Sequence, residues 1–371
     1  MPSAKWSLRS RHSLFLAYIS LSLVGLVMIY SASYYSAALQ FGDEFYYVKK
    51  QAVALLAGVV LFVVGAHLRP NYIYKFRYVI LVLSLILLAA VFIPGLGVDA
   101  YGATRWLNLG FMTIQPSEFS KFGLMLFIAS ELKEKPPYNL KNLLIPALAT
   151  LAVCALIIFE PNMSITMTVV ISAFLLMFAG GLKGKYIVSL IAVMAVAVPV
   201  MILAEPYRIQ RLIAFVDPWA NPKTEGYQLI QSYYALGNGG LFGTGLFNSR
   251  QKYLFLPFAE SDFIFSIIGE ELGFVGSAFI LLIYFVIVFY GIKIAKNAPD
   301  RHSSLLAFGV VAVICVQTLL NVAVVSGTIP PTGVPLPLIS AGGSSLMAFS
   351  FALGIVYGID GNTRRISFHT M

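Results

Sequence analysis

Long apolar runs separated by short polar segments organise this chain. A helix needs about 20 apolar residues to cross the roughly 30 Å hydrocarbon core of a bilayer, and most of the runs approach that length. The sequence predicts ten spanning helices, near residues 14–35, 51–68, 78–94, 116–130, 143–159, 163–180, 186–204, 264–292, 305–326 and 343–359. We therefore expect an all-α, polytopic membrane protein that forms one domain over residues 1–371.

The composition agrees with this pattern and excludes a soluble globular protein. Hydrophobic residues make up 59% of the chain and charged residues only 11%, against about 25% charged residues in soluble domains. The first run follows Lys5, Arg9 and Arg11 and has some features of a signal peptide, but its length and the many later spans favour an uncleaved helix. Cys154 and Cys315 lie inside apolar runs, which favours neither a disulfide nor a metal site.

The basic residues predict the orientation of the helices. Cytoplasmic loops of membrane proteins carry an excess of Lys and Arg. With the N-terminus inside, the inner segments hold 16 of the 25 basic residues and the outer segments hold eight. The sequence therefore predicts that both termini are cytoplasmic. The same sorting explains the net charge of +9, so we do not expect a nucleic acid partner.

The acidic residues have the opposite distribution. Only Glu131, Glu134, Asp300 and Asp360 fall in inner segments, and the other 12 of 16 lie outside or in the outer parts of spans. Topology does not require this, because Asp and Glu contribute little to orientation. The concentration of carboxylates indicates chemistry or partner binding at the outer face.

The largest outer segment, residues 205–261, lies between the seventh and eighth spans. Long connections of this kind are usually functional. Tyr227, Ile230 and Tyr234 recur at i, i+3 and i+7, which predicts a short helix on the membrane interface. The glycine-rich run at 237–245 is compatible with a tight, irregular turn and with a backbone that approaches a bound phosphate.

Two opposite charges open the fourth predicted span. Glu118 and Lys121 are three residues apart, so they share one helix face and can neutralise each other. Ionisable groups inside a membrane cost about 2.5–3.5 kcal/mol each on insertion scales and are functional candidates for that reason. A buried ion pair that only fixes helix packing explains the same spacing.

The eighth predicted span carries carboxylates near its outer end. Residues 263–292 would form a helix of about 45 Å, too long for one perpendicular crossing, and the stretch 269–273 interrupts them. Asp262 could cap this helix, and Glu270 and Glu271 could be ordinary interfacial charges. Alternatively, these two carboxylates raise the pKa of Asp262 through like-charge repulsion and desolvation.

The last outer loop is rich in residues that break helices. Residues 327–345 contain four prolines and four glycines, which predicts a stiff, non-helical lid. Irregular backbone at membrane depth is tolerated only where it is buried in protein or lines a cavity. We therefore expect this loop to close over a site.

Together, these motifs resemble the SEDS family (shape, elongation, division and sporulation), over essentially the whole chain. The resemblance rests on Arg105-Trp106, on Gln115-Pro116-Ser117-Glu118 with Lys121, on Glu160-Pro161, on Arg208, Arg211, Phe215, Asp217 and Pro218, on Gly226-Tyr227-Gln228, Gln231-Ser232 and the glycine run, on Ser249, Gln251 and Lys252, on Ser261 to Phe265, on Glu270-Glu271, and on the loop from Pro335 to Ser345. The chain departs from the family pattern at 161–165, at 257–261 and at Ala341, which puts secondary substrate contacts in doubt. The stretch 270–273 indicates the FtsW/SpoVE branch of division and sporulation.

The resemblance implies a peptidoglycan glycosyltransferase. Members of the family polymerise lipid II into β-1,4 glycan strands at the outer face of the cytoplasmic membrane and release undecaprenyl pyrophosphate. It implies that Asp262 is the catalytic base, and its raised pKa would suit that role. Substrate-binding roles are implied for Glu118, Lys121, Arg105, Arg208, Arg211, Arg250, Lys252 and Ser344, and supporting roles for Glu270, Glu271, Glu160 and Asp217.

The resemblance also implies partners and leaves other roles open. The expected partners are lipid II, a class B penicillin-binding transpeptidase and further division or sporulation membrane proteins. A divalent cation, Mg²⁺ or Mn²⁺, held by Asp262 and neighbouring carboxylates is compatible with the reaction, and the sequence identifies no certain cofactor. The alternatives are a lipid II flippase and a non-catalytic scaffold for the transpeptidase. The crowding of polar groups on the outer side favours catalysis there over a path across the membrane.

Overall fold

The protein is mainly helical, as the sequence predicts. A computed structural model describes residues 4–100, 103–110, 112–186, 206–224 and 226–369, and only the single positions 188, 192, 199 and 203 between 187 and 205. The helices are α1 (Ala4–Phe41), α2 (Tyr46–His67), α3 (Pro70–Lys75), α4 (Arg77–Ala90), α5 (Pro116–Glu134), α6 (Leu140–Phe159), α7 (Met163–Ala179), α8 (Pro206–Val216), α9 (Tyr227–Gly239), α10 (Ile264–Lys296), α11 (Arg301–Val325) and α12 (Gly343–His369).

Six of the described helices are long and apolar enough to cross a membrane. They comprise Ser10–Phe41, Tyr46–His67, Leu140–Phe159, Ile264–Lys296, Arg301–Val325 and Gly343–Asp360, with shorter apolar helices at Arg77–Ala90 and Met163–Ala179. The predicted fourth span coincides with α5, which is not among these helices. The predicted run at 186–204 lies almost wholly outside the described residues. The count of ten spans and the orientation of the termini therefore stay predictions.

Helix α5 is the central helix of the bundle. Nearly every residue from Pro116 to Leu132 is buried, because the helix packs against α4, α6, α7, α11 and α12. This helix therefore meets protein on all sides and has no stripe that faces lipid. Such an environment allows the helix to carry charged side chains that have partners within the protein.

Local signals in the sequence explain where the helices begin. Pro116 occupies the first turn of α5, where its missing N–H costs no hydrogen bond. Asn162 caps α7 by accepting a hydrogen bond from the backbone N–H of Ile165 at 3.3 Å, and Asp300 caps α11 through the N–H of Ser303 at 3.0 Å. Asn162 is one of the departures from the SEDS pattern, and its amide retains the capping function.

Helices α2 and α12 pack closely through small residues. A side chain added at Gly354 would meet the carbonyl of Phe62, and one at Gly358 would meet the carbonyl of Ala66. These glycines are four residues apart and lie on one face of α12. Because lipid supplies no hydrophobic drive between helices, such close backbone approach is a main source of packing energy in a membrane.

The predicted interruption of the eighth span is confirmed as a kink in α10. Gly273 has a non-helical backbone, with φ 68° and ψ −169°. The glycine run packs against this kink: a side chain at Gly239 would meet the carbonyl of Gly269, and one at Gly243 would meet the carbonyl of Glu271. The glycines of this run therefore allow two backbone segments of the protein to pack closely, which favours a structural role over contact with a bound phosphate.

A small three-stranded antiparallel sheet, which the sequence pattern did not predict, precedes α5. Its strands are β1 (Gly97–Ala100), β2 (Ala103–Asn108) and β3 (Thr113–Ile114). Trp106 on β2 pairs with Val98 on β1. The sheet lies directly before the charged start of α5 and carries Arg105 on its central strand.

The last irregular segment, residues 327–342, is called the proline loop below. Its apolar residues Val334, Leu336, Leu338 and Ile339 are buried, and the hydroxyl of Tyr284 on α10 donates to the carbonyl of Pro337. The predicted non-helical loop is therefore confirmed, and it is enclosed by helices. This enclosure allows polar backbone groups of the loop to form hydrogen bonds inside the protein, as backbone at membrane depth must.

Candidate active site

Asp262 lies just before α10, and its backbone carbonyl is held by a neighbouring helix. The amide of Asn321 on α11 donates to the carbonyl of Asp262 at 2.9 Å. The N-cap residue of α10 is Phe263, and no side-chain hydrogen bond caps this helix. Among the described residues, none donates a hydrogen bond to the Asp262 carboxylate. The capping role that the sequence left open is therefore not observed.

The proline loop lies against the Asp262 carboxylate. Gly333 has a φ of +71°, and a Cβ built on it would be 3.0 Å from Oδ2 of Asp262. The amide of Asn321 that holds Asp262 also donates to the carbonyl of Val334 at 2.6 Å. Glycine is thus required at 333 for two reasons, the left-handed backbone and the nearness of the carboxylate.

Two arginines bring positive charge near Asp262 while their donors hold backbone carbonyls. Arg105 donates from Nε to the carbonyl of Glu160 at 3.0 Å and from Nη2 to the carbonyl of Pro161 at 2.6 Å. Arg211 donates from Nη1 to the carbonyl of Pro331 at 2.9 Å. The two guanidinium groups are therefore fixed at the edge of the site without being neutralised through these contacts.

The environment of Asp262 raises its pKa. Burial raises the pKa of the Asp262 carboxyl to about 6, against the lowering effect of Arg211 and Arg105, and the nearby Glu260 carboxyl adds to the rise. Burial likewise raises the pKa of Glu260. The like-charge contribution comes from Glu260 and not from the two glutamates of α10 that the sequence indicated. A carboxylate of this kind is a suitable general base near neutral pH.

Glu118 and Lys121 form the buried ion pair that their spacing predicts. Nζ of Lys121 lies 2.6 Å from Oε2 of Glu118 and also donates to Oε1 of Gln317 at 2.7 Å. The amide of Gln317 donates to the carbonyl of Pro335 in the proline loop at 2.9 Å. One helical turn along α11, Asn321 holds Asp262. The ion pair is thereby connected to the Asp262 backbone through α11.

A second buried cluster surrounds Glu270 and Glu271. Glu270 accepts hydrogen bonds from the Ser249 hydroxyl and from the backbone N–H of Arg250 at 3.2 Å. Glu271 pairs with Lys252 at 3.0 Å, with both side chains fully buried, and also accepts from the Ser31 hydroxyl at 2.6 Å. These contacts fasten the segment before Asp262 to α10 and α1, which indicates a structural role.

The remaining predicted residues lie in different surroundings. Glu160 is fully buried, neither of its carboxyl oxygens has a hydrogen-bond partner among the described residues, and burial raises its pKa to about 8. Asp217 accepts from the N–H groups of Trp219 and Ala220 and caps a 3-10 turn. Ser344 accepts from the N–H of Gln115 at 3.0 Å. The side chain of Arg250 is exposed, and that of Arg208 lies outside the described residues.

Sequence reasoning missed three residues that shape the site. Gln317 and Asn321 are polar, lie four residues apart in an apolar span and share one face, which is a signal of a buried polar contact. Nothing in the sequence distinguishes Gly333 from the other glycines of the proline loop. Its contact with Asp262 follows only from the fold.

The described residues contain no group of three or more His, Cys, Asp or Glu side chains placed to hold a metal ion. Near Asp262 the additional carboxylate is Glu260. A divalent cation at this site would therefore take most of its ligands from substrate phosphates and water, as Mg²⁺ commonly does.

The sequence matches one protein family over nearly its full length. The model of the FtsW/RodA/SpoVE family, described as "Cell cycle protein", matches residues 11–365. The chain is 37% identical over 347 residues to "Stage V sporulation protein E" of Bacillus subtilis (strain 168), covering 92% of this chain and 94% of the relative. It is 37% identical over 350 residues to "Probable peptidoglycan glycosyltransferase FtsW" of an Escherichia coli O6:H1 strain, covering 93% and 84%.

Solved structures show the same fold. A chain from "Structural coordination of polymerization and crosslinking by a peptidoglycan synthase complex" superposes with a TM-score of 0.78 at 27% identity, covering 94% of this chain and 97% of that one. The rod shape determining protein RodA of Thermus thermophilus superposes with a TM-score of 0.69 at 26% identity, covering 94% and 96%. The similarity therefore extends to almost the entire bundle.

Proposed function

This chain belongs to the FtsW/RodA/SpoVE family, and on that premise we propose that it is a peptidoglycan glycosyltransferase of the cytoplasmic membrane, active in cell division or sporulation. Its substrate is lipid II, which it polymerises into β-1,4 glycan strands at the outer face. The single observation that carries the catalytic part of the proposal is the Asp262 carboxylate, which has a raised pKa and accepts no hydrogen bond from any described residue.

In the proposed reaction, Asp262 acts as a general base. It accepts the proton of the 4-hydroxyl of the acceptor GlcNAc while that oxygen bonds to C1 of the donor MurNAc. The bond from C1 to the phosphate oxygen breaks, and undecaprenyl pyrophosphate leaves with the electron pair. Because the donor linkage is α and the product is β, a single displacement inverts C1. A carboxylate with a pKa of about 6 is charged at neutral pH and still basic enough to assist.

The departing pyrophosphate requires positive charge, and the geometry divides the predicted cations into two groups. Arg105 and Arg211 are fixed at the edge of the Asp262 site by backbone carbonyls, and their positive charge lowers the pKa of its carboxyl, so both act electrostatically on this site. Lys121 and Lys252 are fully buried in ion pairs. We assign leaving-group stabilisation to the arginines, with Arg208 as a further candidate from the resemblance, and positioning to the lysines.

A class B penicillin-binding transpeptidase is the proposed partner. A similar solved chain belongs to a "peptidoglycan synthase complex" that coordinates polymerization and crosslinking. Coupling of the two reactions would explain why a membrane-embedded polymerase of this family works beside a crosslinking enzyme. We propose the same association for this chain, with other division or sporulation membrane proteins as further partners.

The direct test is a reconstituted polymerisation assay. The purified full chain is incubated with lipid II, with and without a class B transpeptidase, and glycan polymer is separated from unreacted substrate. We expect polymer that depends on Asp262. Movement of labelled lipid II between leaflets without polymer would establish the flippase alternative instead. Absence of both activities together with transpeptidase binding would reduce the chain to a scaffold.

A further inference from the structure

The segment directly before the active site buries several polar side chains and exposes mainly apolar ones, which is the opposite of what a water-exposed loop does. Residues 241–258, called the outer apolar loop below, keep Ser249, Gln251 and Lys252 buried. Eight of its 11 exposed side chains are apolar or aromatic, namely Leu241, Phe242, Leu246, Phe247, Tyr253, Leu254, Phe255 and Phe258, and the other three are Thr244, Asn248 and Arg250. Phe242 is 81% exposed. A patch of this kind marks a surface that meets a non-aqueous partner.

The backbone of this loop is bent so that apolar side chains point outward. Phe247, Leu254 and Phe258 have left-handed φ values of 66°, 66° and 56°. Such backbone is strained for residues other than glycine and persists only where the surroundings enforce it. The buried contacts of Glu270 and Glu271 with the stretch from Ser249 to Lys252 supply that enforcement.

The loop is continuous with surface that faces lipid. The backbone N–H of Phe274 donates to the carbonyl of Gly240 at 2.9 Å, and that of Val275 donates to the carbonyl of Leu241 at 3.0 Å. Phe274 and Val275 are 67% and 52% exposed and belong to the part of α10 that spans the membrane. The outer apolar loop therefore begins, at Leu241, beside the point where the lipid-facing surface of α10 begins.

The length of α10 places this junction at the outer boundary of the hydrocarbon core. About 20 residues separate Gly273 from Lys293 in the last helical turn, which is about 30 Å and matches the thickness of the core. With Lys293 at the inner headgroups, Gly273 lies at the outer boundary. The outer apolar loop is thus at the depth where acyl chains meet headgroups.

Aromatic contacts with α1 agree with this depth. The hydroxyls of Tyr34 and Tyr253 are 2.7 Å apart, and the rings of Tyr30 and Phe247 lie 5.8 Å apart. Both helix tyrosines lie in the outer part of a spanning helix. Tyrosines are enriched at this level of membrane proteins, because their rings suit the interface.

We propose that the outer apolar loop is inserted into the outer phospholipid leaflet, with its apolar side chains among the upper acyl carbons and the exposed guanidinium of Arg250 at the phosphates. The loop ends four residues before Asp262. Insertion therefore holds the carboxylate at the level of the headgroups, where the pyrophosphate of a lipid-linked donor lies. This last consequence rests on the proposed function, whereas the insertion itself does not.

Depth measurements with nitroxide labels test the insertion independently of activity. In the full chain carrying Cys154→Ala and Cys315→Ala, single cysteines replace Phe242 or Phe255 and are labelled after reconstitution into phospholipid vesicles. Collision rates with oxygen, which concentrates in lipid, are compared with those of a water-soluble nickel chelate. Phe279→Cys, on the exposed face of spanning α10, and Lys223→Cys, at an exposed position of the large outer segment, are the lipid and water references.

We expect both loop labels to collide more with oxygen than with nickel, at a depth shallower than the label at 279. Nickel accessibility equal to that at 223 would refute the insertion. Low accessibility to both reagents would also refute it, since it would mean that protein, either a second copy or a partner, covers the loop. A lost polymerase activity with lipid-inserted labels would leave the insertion standing and would count against the proposed function alone.

Discussion

Two groups of carboxylates at the outer end of α10 have opposite environments. Glu270 accepts hydrogen bonds at both carboxylate oxygens, and Glu271 accepts from hydroxyl, backbone and ammonium donors at Oε1, although its Oε2 has no partner among the described residues. Asp262, eight residues earlier, receives no hydrogen bond from any described residue, and its pKa is raised to about 6. Paired and hydrogen-bonded buried charges stabilise a structure, whereas a carboxyl whose pKa is shifted by burial and by specific charged neighbours is a candidate for a functional site. The comparison therefore assigns a structural role to Glu270 and Glu271 and leaves Asp262 as the candidate catalytic residue, a distinction that the sequence alone does not make.

Asp262→Asn should have the largest effect on activity. If Asp262 is the base, the substitution removes the proton acceptor and lowers the polymerisation rate about 10²–10⁴-fold. Stability should not fall. A carboxyl with a raised pKa stabilises the fold below its ordinary pKa near 4 and loses that contribution as the pH rises through about 6. The neutral amide should therefore give an equal or higher thermal midpoint at pH 7. Near-normal turnover would remove Asp262 from the catalytic role.

Glu271→Ala should mainly lower stability, whereas Asp262→Asn should mainly lower the polymerisation rate. It leaves Lys252 charged and unpaired in a fully buried position, and breaking a buried pair in this way costs about 3–5 kcal/mol. The measurement is thermal unfolding in detergent, with Lys252→Met and the double variant completing a double-mutant cycle. The double variant should be less damaged than the sum of the single ones. Strict additivity would show that the pair is not energetically coupled.

The pH dependence of the rate should identify the ionisation of Asp262. Because the base must be deprotonated, the rate should rise with an apparent pKa of about 6 and fall about tenfold per pH unit below it. Glu160→Gln is the matched control. Glu160 has a pKa of about 8, so it is mostly protonated at pH 7, and the amide should leave the acid limb unchanged. An unshifted acid limb in Asp262→Asn would assign the ionisation to another group.

Gly333→Ala should have the smallest effect. The added methyl group would lie 3.0 Å from Oδ2 of Asp262 and would require a left-handed backbone. We expect a loss of stability of about 1 kcal/mol together with a reduced rate, because the carboxylate must move. Gly342→Ala, where the Cβ would have only an ordinary contact with Ser345 at 3.6 Å, serves as the control. Equal rates for the two variants would show that Gly333 does not constrain the base.

The sequence predicted most of the helices and the kink, because these depend on local hydrophobic runs and on glycines close in sequence. It did not predict the source of the electrostatics at Asp262. Glu270 and Glu271 are about 12 Å further along α10 and turn towards the stretch 249–252, which folds back on them. That return of the chain is a tertiary contact, so spacing alone could not distinguish the two glutamates from neighbours of Asp262.

The small sheet and the polar residues of α11 were missed for a related reason. Strands of two to six residues carry too little periodic signal to compete with the long apolar runs around them. Gln317 and Asn321 did have a local signal, their four-residue spacing in an apolar helix. Their importance depends on the carbonyls of Pro335 and Val334, which only the folded proline loop brings to them.

The enclosed proline loop has a consequence for how the protein is made. Its backbone is held by Gln317 and Asn321 of α11 and by Gln51 of α2, which lies nearly 300 positions earlier in the chain. A ribosome delivers Asp262 well before this loop emerges. A nascent chain that ends before this loop therefore contains Asp262 without the backbone contacts that enclose it. The surroundings of Asp262 are completed only once the loop has packed against α2 and α11.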